Sequence, residues 1–238
     1  MDIVFGIISY QRCGYVKTID TLVRLGVSPS NIVLSTQTVD DYHKYKEAYG
    51  SQVTVIYKEG HSASDNRNNV LEYYGDNRNI VIMDDDVLDV YILHNSKLVS
   101  IGDKFLSLME FCFNTAKKSN APLFGVYSVC NAFYMKNTTQ TKSILTGPLL
   151  GFTTNKFKLN SEYKVKEDFE LCLRIMDSGY NVLRFNYLTL KRYDTPVGGC
   201  NDHWGCNEEV CNKLLRKYDK YIVRNPRRSG EVLLRRGL

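Results

Sequence analysis

Apolar and polar positions change rhythm several times along the first part of the chain. Ile3–Ile8 is an apolar run with the length and β-branched content of a strand covered on both faces. Val16, Ile19, Leu22 and Val23 then recur at helical spacing, and Gly26 is placed to stop that helix. Asn31–Ser35 reads as a second strand. Val39, Tyr42, Tyr45 and Tyr49 form the packing stripe of a second helix, and Gln52–Tyr57 reads as a third strand. This β-α-β-α-β opening predicts a doubly wound, nucleotide-binding sheet.

After a polar loop, Asp65-Asn66-Arg67-Asn68-Asn69 opens a short helix through Val70, Leu71 and Tyr74. Ile80–Asp86, reading Ile-Val-Ile-Met-Asp-Asp-Asp, is a buried strand that ends in three carboxylates. Asp103 is placed to cap a core helix carrying Phe105, Met109, Cys112, Phe113 and Ala116. Leu123–Val129 reads as a strand, Asn131–Gln140 as a partly aromatic loop, and Ile144–Phe152 as an extended segment around Gly147-Pro148. Lys166–Glu170 opens a helix that Gly179 ends, and Tyr180–Leu190 is a further strand. A Gly- and Cys-containing loop with His203 and Trp204 leads to a helix over Asn207–Tyr218.

The aspartate triplet is the strongest chemical signal. Adjacent like charges repel unless a cation or a set of donors neutralises them, and the carboxyl end of a strand is where open α/β sheets hold ligands. A divalent metal would neutralise them and bind a diphosphate. Arg67, at a helix start shortly before this strand, can meet phosphate or carboxylate with a planar fork of donors, where free amides also favour anions. Glu167 and Asp168 open a later helix. There, acidic residues complement the helix dipole and also offer a proton acceptor.

Composition narrows the class. With 238 residues, 43% hydrophobic and 24% charged, the chain suits one large globular domain. No apolar run approaches the roughly 20 residues of a membrane span, and the amino terminus lacks a signal-peptide pattern, so a cytoplasmic location is expected. The seven cysteines are scattered; Cys200, Cys206 and Cys211 with His203 match no common zinc spacing. Charge is concentrated at the end. From Lys213 onward there are nine Lys and Arg against Asp219 and Glu231, while the whole chain carries only +5. We therefore divide the chain into a domain over 1–212 and a basic tail over 213–238, which suggests a polyanionic partner.

The ordered set of an Arg-Asn helix start, a strand ending in Asp-Asp-Asp and a Glu-Asp helix start resembles the GT-A glycosyltransferases. The run Val165-Lys166-Glu167-Asp168-Phe169-Glu170-Leu171-Cys172-Leu173-Arg174, followed by Gly179, Val182–Asn186, Lys191-Arg192-Tyr193 and Gly198-Gly199, is similar to the DNA-base glycosyltransferases associated with TET/JBP-type hydroxylases. These include the base J glucosyltransferase and bacteriophage relatives. The resemblance implies an α/β, GT-A-like doubly wound mixed sheet with a nucleotide-binding first half and an acceptor-binding second half. It implies transfer from a nucleotide-sugar, a UDP-sugar first among candidates, to the hydroxymethyl group of a 5-hydroxymethylpyrimidine in DNA, inside an infected bacterium. Arg67 and Asn68 would then contact the nucleotide, Asp84 and Asp85 the ribose side of the donor, and Asp86 with Asp84 and His203 a Mn²⁺ or Mg²⁺ ion. Asp168 would be the base, with Glu167 second. A glycan or protein acceptor, and a catalytically silent nucleic-acid-binding module, are the competing readings.

Overall fold

The computed structural model describes residues 2–76, 78–193, 207–235 and 237. The opening follows the sequence pattern: β1 (Ile3–Ile8), α1 (Thr18–Arg24), β2 (Ile32–Thr36), α2 (Val39–Tyr49), β3 (Thr54–Tyr57), α3 (Ala63–Tyr74) and β4 (Asn79–Asp84). An antiparallel hairpin, β5 (Val87–His94) and β6 (Lys97–Ser100), comes next, followed by α4 (Phe105–Lys118) and β7 (Leu123–Tyr127). The second half continues with β8 (Thr139–Gln140), β9 (Leu149–Phe152), α5 (Glu167–Asp177), β10 (Val182–Arg192), α6 (Asn207–Tyr218), β11 (Ile222–Arg224) and β12 (Val232–Leu234).

Ten strands form one mixed sheet in the order β3-β2-β1-β4-β9-β7-β10-β5-β6, with β8 added on β10; β11 and β12 form a separate ribbon. β1 is parallel to both β2 and β4, whereas β9 is antiparallel to β4 and β7. Side chains alternate across the sheet as the strand period requires. Phe5, Ile7, Val81 and Met83 join α1, α2 and α4 in one core, and Val4, Ile80 and Ile82 join α3, α5 and α6 in the other. Gly6 sets the spacing of that second layer, because a Cβ there would lie 2.1 Å from Val70 Cγ1 of α3.

The chain leaves β1 toward β2 and β3 on one side and returns to place β4 on the other. The gap between β1 and β4 is therefore a topological switch point, where open α/β sheets bind ligands beyond the strands' carboxyl ends.

Three local expectations change. Asp103 does not cap α4: it lies in a 3₁₀ turn over Gly102–Lys104 that runs into the helix, whose cap position is Lys104. Arg67 is not at the start of α3. Ser62 caps that helix by accepting from Asp65 N, so Arg67 lies in its second turn, away from the free amides. The β5–β6 hairpin is an addition, closed by Asn95-Ser96 with both residues at positive φ, the conformation of a two-residue hairpin turn.

The basic stretch from Lys213 is folded rather than extended. Leu214, Tyr218, Ile222 and Val232 enter the second core. Lys213, Lys217, Lys220 and Arg224 pair with Glu162, Glu170, Asp177 and Glu208. No helix among the described residues is long and apolar enough to cross a membrane.

Candidate active site

The switch point opens into a cavity of about 280 Å³. One wall comes from the residues after β1 (Ser9, Tyr10, Arg12) and another from Asp84, Asp85 and Asp86 after β4. Asn66 and Arg67 of α3, Glu167 at the start of α5 and Arg192 at the end of β10 complete it. Five distant parts of the chain thus converge at one edge of the sheet.

Arg67 is the hub. Only 5% exposed, it donates from Nη1 to Glu167 Oε1 at 2.6 Å and from Nη2 to Asp84 Oδ1 at 3.1 Å. Its Nε has no hydrogen-bond partner. Gly147 passes so close that a Cβ there would lie 2.2 Å from Arg67 Nη2, so only glycine lets this backbone cross behind the guanidinium.

The three aspartates divide their roles. Asp85 is buried, with Oδ1 accepting from Arg12 Nη1 at 3.0 Å and Oδ2 accepting from Ser9 Oγ. Burial raises its pKa against the pull of these two donors. Its main-chain oxygen also accepts from Lys17 N at 2.8 Å, which ties the triplet to the start of α1. Asp86 is different: Oδ1 is buried and has no hydrogen-bond partner among the described residues. Burial and the neighbouring charge of Asp84 push its carboxyl up to about 6, with Arg192 pulling the other way. A buried carboxylate oxygen without a donor costs stability unless a cation meets it.

The residues present fit a divalent cation. Asp84 and Asp86 are hard oxygen donors facing one cavity, and Mg²⁺-type sites often use one or two carboxylates completed by substrate phosphates. Among the described residues no three His, Cys, Asp or Glu side chains are gathered to hold a metal by themselves. A diphosphate would therefore have to share the coordination. His203 lies outside the described residues, as do Cys200, Cys206 and Trp204.

Glu167 reaches the cavity wall and Asp168 does not. Asp168 Oδ2 accepts from Gly147 N at 2.8 Å and Oδ1 accepts from Phe169 N at 2.8 Å. Burial, reinforced by Glu167, pushes the Asp168 carboxyl up to about 7. Asn68 is not brought to the cavity. Its amide exchanges two hydrogen bonds of 2.9 Å with the main chain of Leu159 and staples α3 to the loop before α5. The neighbouring Asn66 lines the cavity instead.

Sequence reading missed Arg12, Ser9 and Arg192 as site residues. For the first two a signal existed: they directly follow a buried strand at the edge where ligands bind. Arg192 stood in the quoted Lys191-Arg192-Tyr193 run but past the expected end of its strand, because β10 runs two residues further.

No known protein-family profile matches the sequence, and no curated protein matches it. Solved structures do. The mannosyltransferase PcManGT from Pyrobaculum calidifontis, in complex with GDP-Man and Mn²⁺, superposes with a TM-score of 0.58 at 11% identity, over 92% of this chain and 63% of that one. Residues 1–349 of S. aureus TarS, in complex with UDP, give 0.48 at 13% identity, over 90% of this chain and 66% of that one. CMP:2-keto-3-deoxy-manno-octonic acid synthetase, complexed with CTP, gives 0.48 at 12% identity, over 91% and 100%. The mannosyltransferase match shows the fold. This chain has a GT-A-like α/β fold with a large central mixed sheet and spans 63% of the length of that enzyme.

Proposed function

We propose that the protein is a nucleotide-sugar-dependent glycosyltransferase whose donor diphosphate occupies the cavity between β1 and β4. The observation that carries this reading is that Asp86, one of whose carboxylate oxygens is buried without a hydrogen-bond partner among the described residues, lines a cavity that also holds Arg12, Arg67 and Arg192. Carboxylates for a cation and arginines for an anion, together at a switch point, suit a metal-bound diphosphate.

In the proposed reaction the acceptor hydroxyl oxygen bonds to the anomeric carbon while the bond from that carbon to the donor phosphate oxygen breaks. The electron pair leaves with the nucleoside diphosphate, and the hydroxyl proton passes to a carboxylate. Asp84 and Asp86 would hold a divalent cation, which when bound offsets the charge building on the departing diphosphate. Arg67, Arg12 and Arg192 supply fixed positive charge at the same place. Proton affinity favours Asp168 as the base, and location favours Glu167. We assign the proton to Asp168 and assign Glu167 to holding Arg67.

For the acceptor, we propose the hydroxymethyl group of a 5-hydroxymethylpyrimidine in DNA, with a UDP-sugar as donor. Exposed Arg216, Arg227 and Arg228 support a polyanionic partner, although much of the neighbouring charge is matched within the fold. The test compares sugar transfer to DNA containing 5-hydroxymethylpyrimidine with transfer to the same unmodified sequence, using UDP- and GDP-sugars. Transfer only to modified DNA is expected. Equal transfer to both, or glycosylation of a protein or glycan instead, would overturn the acceptor and leave the transferase standing.

A further inference from the structure

β7 runs parallel to β4, since both are antiparallel to β9, so its carboxyl end opens on the same edge as Asp84. Beyond it, a 3₁₀ turn over Ala132–Tyr134 holds two aromatic rings in solvent: Phe133 is 85% exposed and Tyr134 56%. They meet edge to face with centroids 5.1 Å apart. The turn is tethered at both ends. Asn131 Oδ1 accepts from Phe133 N at 3.0 Å, Met135 is buried, and Lys136 N donates to Asn186 O at 3.2 Å. One exposed aromatic needs no explanation. Two adjacent rings fixed on a pinned turn, in the loop that follows β7, have the character of binding anchors.

The turn connects to the candidate active site. A small cavity of about 10 Å³ lined by Ser128, Thr146, Pro148 and Arg192 lies at the base of this loop, and Arg192 also lines the donor cavity. Charge identifies the partner class. From Ser128 to Thr146 the chain has no Asp or Glu, and Lys136 and Lys142 are exposed. A loop without carboxylates, with two exposed lysines and paired rings, matches a strand that offers both phosphates and flat faces.

We propose that Phe133 and Tyr134 form a stacking platform for bases of a nucleic-acid strand whose acceptor nucleotide enters the cavity past Arg192. The proposal rests on the reading of the cavity as a glycosyltransferase site and adds where and how the acceptor lies. Stacking on exposed rings requires base faces that a duplex covers, so the strand is single or locally opened.

The test needs no nucleotide sugar. Fluorescence anisotropy is measured with a labelled single-stranded oligothymidylate of about 12 nucleotides, within the site size of ring-lined grooves, with the same length of duplex, and with a neutral oligosaccharide. Wild-type protein is expected to bind the single strand more tightly than the duplex, with affinity falling as salt rises. The Phe133→Ala/Tyr134→Ala variant should bind about 10-fold or more weakly, with an unchanged melting temperature because neither ring is buried. Phe133→Trp, which keeps a ring, should bind like wild type. The platform is wrong if wild type does not bind the strand, or if the double variant binds it equally well. It is also wrong if binding is salt-independent and selects the oligosaccharide. Strand binding without any turnover of nucleotide sugars would defeat the transferase reading and leave the platform in place.

Discussion

Asp168 shows how one residue's surroundings set its chemistry. Burial and the adjacent Glu167 raise its carboxyl to about 7, from an ordinary value of 3.8. Between roughly pH 4 and 7 the folded protein therefore holds a proton that the unfolded chain has released, so this group's contribution to stability falls as pH rises through that window. Asp168→Asn cannot ionise. It should melt higher than wild type at pH 8, and the difference should shrink or reverse at pH 5; an unchanged difference would show that the carboxyl titrates normally. If Asp168 takes the acceptor proton, the same variant should lose roughly 10²- to 10⁴-fold in kcat with donor KM nearly unchanged. Glu167→Gln, which loosens Arg67, should instead raise donor KM. The reverse pattern would transfer the role of base to Glu167.

At the scale of elements, the approach to α5 depends on the C-terminal part of the chain. Lys166, immediately before Glu167, adopts left-handed backbone with φ of 57°, a conformation that costs a non-glycine residue energy. Its ammonium is nearly buried and donates to Asn207 Oδ1 at 2.9 Å and Glu231 Oε1 at 3.2 Å, both from the segment that includes α6 and the β11–β12 ribbon. One turn further on, Glu170 is fully buried and accepts from Tyr218 Oη of α6 at 2.8 Å. Glu231→Gln should therefore speed amide hydrogen exchange in the first turn of α5 and lower kcat more than it changes KM. Protection at Glu167–Glu170 equal to wild type would show that the ion pair does not hold that turn.

The elements that sequence reading recovered are those with a strong period: β1, β4, α4 and α5. In each, burial on one or two faces dictates the residue types. The β5–β6 hairpin escaped because Val87–His94 follows the aspartate triplet without a polar break, and its Asn-Ser turn is a weak marker without glycine. Arg67 and the aspartates were legible as candidates because adjacent carboxylates at a strand end repel unless neutralised, and an arginine one short helix earlier can reach them. Arg12 and Arg192 were passed over although the sequence placed each near a strand end, since Arg12's partner Asp85 lies 73 residues away and Arg192's place depends on where β10 ends.

For the whole molecule, charge is the least local property. The chain carries +5, but four of the nine cations in the basic C-terminal stretch are matched by carboxylates of α5, α6 and the loop before α5. Arg227 and Arg228 form an exposed adjacent pair that can meet a polyanion. Replacing both by Gln should weaken DNA binding about equally across sequences and flatten its dependence on salt, because phosphate contacts position without reading bases. An unchanged salt slope would place the DNA contacts elsewhere on the surface.

The central claim is that the β1–β4 cavity binds a nucleotide-sugar through a cation on Asp86 and Asp84. Calorimetric titration of UDP- and GDP-sugars addresses it directly, with Mn²⁺ and with chelator, on wild type and on Asp86→Ala. At least one donor should bind wild type in the presence of Mn²⁺ and lose most of its affinity in chelator. Asp86→Ala should show the weak, chelator-level affinity under both conditions while melting no lower than wild type, since it removes an unpartnered buried oxygen. No binding of any nucleotide-sugar to wild type, or equal Mn²⁺-independent binding to both proteins, would contradict it.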